Sequence, residues 1–303
     1  MVTRQFYQKF ARTVVFVISP HPDDSVLGAG GFIHRLTDPV AWATQSSIPE
    51  ADRPVVYTVV MTSGSRGVDD EYLRRYQMNR LREKDSDLAD YLLTKMATAE
   101  TDPKREKQIA KFREDLRRQE SIAEGRILRV RESHFLNLGG IYYNHTISGE
   151  DRNTFRALMD ELIARHEGWQ RLVLVAHRDD MHPVHKLSTQ AALDYVDAEL
   201  KWENTRVWQY ESPWITFSPH QVEIVIPFDG IGMATKAEAM SVHRSQEYRT
   251  RYSDVARYRA QMKAETFPEL LGGFGQSAYQ WQYVEAFQEL RPTMIYELES
   301  DQS

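Results

Sequence analysis

No cysteine occurs among the 303 residues, which excludes disulfides and thiolate metal sites and leaves histidines and carboxylates to hold any metal. Long apolar runs are also missing: none exceeds the length of a strand, far short of the ~20 residues a membrane-spanning helix needs. Nor is there a basic excess, since 38 Lys and Arg stand against 44 Asp and Glu for a net charge of −6, with both signs spread along the chain. Nucleic-acid binders carry a basic stripe, so no nucleic-acid partner is expected. The opening MVTRQFYQKFART has no apolar core followed by a small-residue cleavage site, so no signal peptide is expected and the expected location is cytoplasmic. No internal repeat and no Gly/Ser linker interrupts the sequence. One domain over 1–303 is expected, with insertions near 41–53 and 98–130.

What is present is an alternation of apolar runs and helical patterns. Strands are expected at 13–19, 54–62, 133–138, 171–176, 206–210 and 222–227. Helices are expected to open at 28 and to cover about 71–96, 154–166, 186–200 and 236–246. Strands that are apolar throughout, rather than alternating, point to a sheet covered on both faces. With helices between them, they predict a mostly parallel α/β sheet. Segment 41–53 reads as a polar loop. Segment 100–120, crowded with charges of both signs, reads as a solvated helix, with part of a rim over the site as the alternative.

Ligand sites in such sheets lie beyond the carboxyl ends of the strands. The first strand runs directly into His21-Pro22-Asp23-Asp24, and the fourth into HRDDMHPVH, ending at His185. Together His21, Asp24 and His185 offer two imidazole nitrogens and one carboxylate, the ligand set of a catalytic zinc with a position left for water. His182 and His185 are separated by a proline and a valine, so one can bind metal while the other faces a substrate. Asp23 is placed to take a proton from an activated water. Gly28-Ala29-Gly30-Gly31 lacks the G-x-G-x-x-G spacing of a dinucleotide site, and close packing of a helix on the sheet explains it equally well.

These segments resemble the PIG-L/LmbE superfamily of zinc-dependent de-N-acetylases, which includes N-acetylglucosaminyl-phosphatidylinositol, mycothiol and bacillithiol deacetylases. PHPDDSVLGAGG is similar to the family's A-H-P-D-D-E and glycine segment, and DMHPVH, from Asp180, to its H-P-D-H. TSGSRG (62–67), REKDSDLADYLLTKMA (82–97), YESPW (210–214) and HRSQ (243–246) are weaker matches, so the likeness runs from about Val14 to Phe287. The resemblance implies a Rossmann-like three-layer sandwich and a hydrolase that removes an N-acyl group, most often acetyl, from an amino-sugar-like substrate. It implies one zinc ion per chain on His21, Asp24 and His185, another divalent ion such as Fe2+ being the alternative. It implies Asp23 as general base and His182 as acid or oxyanion stabiliser, an acid role calling for a pKa kept up by a neighbour such as Asp180. Arg82, with Asp180 and His243, is implied at the substrate, Arg66, Arg74, Arg75, Arg80 and Arg117 being rivals for the arginine. The partner implied is a small N-acylated sugar or glycoconjugate, and nothing argues against a homo-oligomer. Ser25 and Val184 depart from the family's usual acids, Glu and Asp. Those two changes are the support for a rival reading, a non-catalytic metal- or sugar-binding member of the fold.

Overall fold

Thr13–Ser19 forms strand β1, and all seven of its residues are buried. The structure, a computed structural model, describes residues 2–266 and 281–292. Beside β1 lie β2 (Val55–Val60), β3 (Glu132–Phe135), β4 (Gln170–Ala176), β5 (Thr205–Tyr210), β6 (Ile224–Phe228) and β7 (Tyr283–Leu290). They make one sheet in the order β3-β2-β1-β4-β5-β7-β6. β1 to β5 are parallel, and β7 is antiparallel to both β5 and β6.

The helices in chain order are α1 (Val2–Phe10), α2 (Asp24–Thr37), α3 (Pro39–Gln45), α4 (Asp70–Tyr72), α5 (Met78–Lys84), α6 (Ser86–Thr98), α7 (Pro103–Ile127), α8 (Gly149–Ala164), α9 (Pro183–Tyr195), α10 (Gly230–Ser241), α11 (Arg244–Glu247) and α12 (Tyr252–Thr266). They cover both faces of the sheet. Val15 and Val17 of β1 enter a core with Phe32 of α2, Met240 of α10 and Trp208 of β5. Val14, Phe16 and Ile18 point the other way, into a core with Phe155 and Met159 of α8 and Ala192 of α9. The strand alternation therefore divides its apolar residues between two cores, and the three-layer architecture follows. A third apolar cluster joins Leu81, Leu92, Ile109, Phe112 and Leu116 under α5, α6 and α7.

Several boundaries differ from the sequence expectation, and caps explain most of them. Segment 41–53 is not all loop: Asp38 caps α3 by accepting from Val40 N, and Trp42 is buried with its Nε1 donating to Leu36 O at 2.7 Å. The helix expected at 71–96 is broken at Asp85, whose carboxylate accepts from Leu88 N and starts α6. α8 begins at Gly149 because Ser148 and Asp151 form a capping box ahead of the apolar stripe. β7 and α12 were not expected. β7 reads as mixed because Glu285 is buried in it, where it accepts from Gly31 N, Phe32 N and Lys236 Nζ.

The glycines of α2 serve close packing. A Cβ on Gly28 would lie 2.1 Å from Cδ2 of Tyr210, and one on Gly31 would lie 2.6 Å from Cε1 of Phe228. Tyr210 is fixed, being buried with its hydroxyl donating to Ile18 O at 2.7 Å. Gly28→Ala should therefore destabilise the protein by ~1–3 kcal/mol through overpacking, although alanine is the better helix former by ~1 kcal/mol. Denaturant unfolding checks this, and a stabilised variant would contradict the contact.

Candidate active site

The order of the sheet reverses between β1 and β4, since β2 and β3 lie on one side and β5 on the other. The crevice at such a switch point, beyond the carboxyl ends, is where α/β sheets bind ligands. β1 ends at Ser19, whose hydroxyl donates to His21 O at 2.5 Å and accepts from Ser25 N at 3.0 Å. That pins the Pro20–Asp23 turn to the first turn of α2. Asp24, the first residue of α2, accepts from His21 N at 2.8 Å. From β4 the chain turns through His177–His182, and Pro183 opens α9.

The two turns bring their side chains together. Oδ2 of Asp24 lies 3.1 Å from Nδ1 of His21 and 3.2 Å from Nε2 of His185, and those two nitrogens are 3.2 Å apart. Ligands 2.0–2.1 Å from a tetrahedral zinc are ~3.3–3.4 Å from one another. The triangle is close to one face of that tetrahedron, so the donor set fits a divalent ion. His182 joins a wider group: ligand atoms of His21, His182 and His185 lie within 4.8 Å of one another. The tighter edges favour Asp24 over His182 as the third donor. His182 Nδ1 is nonetheless buried without a hydrogen-bond partner.

Each donor is held from behind. Asp180, fully buried, accepts from Nδ1 of His185 at 2.8 Å and from His182 N at 2.8 Å. A carboxylate behind a ligating imidazole fixes its ring and tautomer. Burial works against charge on His185, but Asp24 and Asp180 on either side prevail and push it up to about 10. Burial would raise Asp24, yet His185 and His21 hold it well below the usual carboxylate range. His182 goes the other way, down to about 4, because it is buried and faces the imidazoles of His21 and His185. The expectation that Asp180 would keep its pKa up is not met: Asp180 does raise it, but burial and the two imidazoles outweigh that.

The largest departure from the sequence reading is α7. Ile109, Phe112 and Leu116 mark its inward face, and the same face continues through Arg117, Glu120, Ser121 and Glu124, all buried. Arg117 donates to Oδ1 of Asp23 at 2.5 Å, and its Nη1 is 3.6 Å from Glu120. Glu120 accepts from Ser245 N and Oγ at 2.8 and 2.6 Å. Glu124 accepts from Ser25 Oγ at 2.6 Å and is 2.7 Å from Nε2 of His243. Burial raises Glu124, with His243 and Ser25 working against it. The outer face of α7 is solvated as expected, with residues such as Lys104, Lys111 and Arg118 exposed, but its inner face carries the charged wall of the site. The signal was available in the apolar 109, 112, 116 spacing, which fixes the face on which 117, 120 and 124 fall.

A cleft of about 370 Å3 opens over the triangle, lined also by Asp23, Arg66, Arg117, Tyr142, Trp214 and Tyr252. The residues expected at the substrate are not among its lining. Arg82 is exposed on α5, a helix away from the cleft. Asp180 sits behind His185, and His243 behind Glu124, so both support neighbours rather than face the cleft. Of the rival arginines, Arg66 and Arg117 do line it. Val184 is buried and apolar, in one cluster with Ile141 and Tyr142.

Residues 16–196 match the family described as GlcNAc-PI de-N-acetylase, PIG-L. A curated relative, a glucosamine-6-phosphate deaminase-like protein of Bacteroides thetaiotaomicron, is 25% identical over 248 residues. The match takes in 77% of this chain and 35% of the relative, so the chain spans about a third of that protein's length. The structure of N,N'-diacetylchitobiose deacetylase from Pyrococcus horikoshii is similar with a TM-score of 0.55 at 21% identity, over 96% of this chain and 88% of that one. A zinc-inhibited form of teicoplanin deacetylase is similar with a TM-score of 0.51 at 18% identity, over 91% and 97% of the two chains. These likenesses establish a shared fold.

Two outcomes follow from this geometry. Purified protein should hold one divalent ion per chain, and His185→Ala should lose most of it in elemental analysis; full metal content in the variant would remove His185 from the donor set. Arg117→Met should cost ~3–5 kcal/mol in denaturant unfolding, because it leaves Asp23 and Glu120 buried without their cation.

Proposed function

The chain belongs to the PIG-L family, described as GlcNAc-PI de-N-acetylase, and on that premise we propose that it is a metal-dependent amidohydrolase that removes an N-acetyl group from an amino-sugar-like substrate. The observation that carries this reading is the His21, Asp24 and His185 triangle with Asp23 beside it at the switch point of the sheet. A divalent ion held there, zinc in our reading, would supply Lewis acidity toward the amide carbonyl and toward water.

The chain's own residues do the rest. Arg117 holds Oδ1 of Asp23, which leaves Oδ2 to accept a proton from the attacking water. His182, neutral because its pKa is pushed down to about 4, can donate an N–H to the oxygen that gains charge as the carbonyl is attacked. In our reading His182 takes the oxyanion role rather than the acid role, and the proton that Asp23 has taken then passes to the departing amine. The cleft matches the ~300–1,000 Å3 of small-molecule sites. Trp214 lines it with 59% of its surface exposed, an open ring face for a sugar.

Ser25, one of the two departures that favoured a non-catalytic member, weighs less here. Its hydroxyl meets the carboxyl of Glu124, so an acid from α7 lies beside the residue at which the family motif has one.

Release of amine from a panel of N-acetylated sugars and glycoconjugates tests the proposal, with the metal titrated stepwise because a structural relative has a zinc-inhibited form. Hydrolysis of at least one member, lost on chelation, is expected; none across the panel with metal bound would support the binding-module reading. Asp23→Asn should keep its metal and lose ~10²- to 10⁴-fold in rate. A variant at the wild-type rate would take the base role from Asp23.

A further inference from the structure

A second cavity lies at the opposite edge of the sheet. It has about 1060 Å3 of empty space and is lined by residues at the amino ends of β2, β3 and β4, among them Arg53, Arg129, Arg131, His166 and Trp169. Six- and seven-residue strands separate it by ~20 Å from the catalytic cleft, so what it does is independent of the function proposed above.

Its composition is unlike the rest of the chain. The protein carries a net charge of −6, yet three arginines line this cavity against a single acid, Glu50. Arg131 immediately precedes β3, Arg53 stands two residues before β2, and Trp169 immediately precedes β4. The parallel register of β1 to β4 thus draws charges that are far apart in sequence to one edge. Nearby acids neutralise only part of this charge. Asp38 lies 3.6 Å from Arg129, and Asp52 is engaged by Arg12 at 3.2 Å. Neither guanidinium of Arg53 or Arg131 has an acidic partner among the described residues. Nε of Arg53 is buried with no hydrogen-bond acceptor. A buried donor left open is rare in folded proteins and calls for a partner. Guanidinium groups gathered around one open pocket are suited to bind phosphate oxygens in pairs.

We propose that this amino-edge cavity is an anion site for a phosphate-bearing small molecule, held by Arg53 and Arg131 with Arg129 and the ring of Trp169 beside them.

Calorimetric titration of the metal-loaded protein with inorganic phosphate and with pyrophosphate, at fixed ionic strength in chloride, tests it. Saturable binding is expected. Arg131→Gln, and separately Arg53→Gln, should each weaken it about tenfold, the lower end for a hydrogen bond to a charged group. The double variant should abolish it. Arg131 is exposed, so Arg131→Gln should unfold in chloride as the wild type does and keeps the test valid if Arg53→Gln folds poorly. Vesicles of phosphatidylcholine with phosphatidic acid separate the two sources of phosphate. Binding to them that needs both arginines assigns a lipid headgroup, and phosphate binding without vesicle binding assigns a soluble ligand. No saturable binding of phosphate or pyrophosphate by the wild type would overturn the proposal. So would an unchanged affinity in the double variant, which would place the ion elsewhere.

Discussion

Everything at the catalytic edge depends on the parallel pairing of β1 with β4. Thr13 to Val17 stand in register with Gln170 to Leu174, so both strands deliver their carboxyl ends to the same place. The chain then diverges, β2 leaving on one side and β5 on the other, and the gap between the two turns is open by topology rather than by any particular side chain. A one-residue slip in that register would turn every β1 side chain to the other core. The apolar residues of both strands, buried almost completely, therefore also set the spacing of His21, Asp24 and His185. Packing energy and site geometry are here the same constraint.

A second constraint is charge. Asp23, Asp24, Asp180, Glu120 and Glu124 are all buried around the cleft, and the one buried guanidinium among them is Arg117. Buried charges persist only when paired, hydrogen-bonded or bound to a metal. The structure distributes the load accordingly. Glu124 is shifted toward its neutral form by burial. Glu120 rests on two bonds from Ser245 as well as on Arg117. Asp180 is answered by His185 and by the His182 amide. What is left is Asp23, held on one oxygen, and Asp24, held by two imidazoles. The pair of adjacent acids is thus divided by its surroundings, one facing a cation of the protein and the other facing the place a cation would occupy.

The central sheet and the triangle were legible in the sequence because both announce themselves locally. Uninterrupted runs such as Val14–Ile18 fix buried parallel strands, and two polar motifs directly after such runs fix the edge they share. What escaped was information carried by capping residues and by long-range partners. Ser148 and Asp38 start helices in segments whose hydrophobicity alone says little. β7 has Glu285 inside a buried run, tolerated there because it is neutralised by Lys236, a partner that no window of sequence displays. Arg82 and Arg117 are equally plain arginines on charged helices. Only the packing of Ile109, Phe112 and Leu116 into the cluster beneath α7 turns the second one inward.

That last point bears on how the site departs from its family pattern. Ser25 stands where an acid is usual, and read alone it removes a negative charge from the environment of the donors. In the folded protein its hydroxyl donates to Glu124, and Glu124 in turn meets His243. A buried carboxyl of α7 thus lies beside Ser25, and this contact is a tertiary rather than a local feature. The two ends of this arrangement, Ser25 and Glu124, are 99 positions apart. A change at Glu124 leaves the Ser25 hydroxyl buried without its acceptor, whereas a change at Ser25 leaves Glu124 with His243 alone. Ser25 is therefore to be read together with Glu124, and the deviation in the motif is intelligible only when the helix that meets it is taken into account.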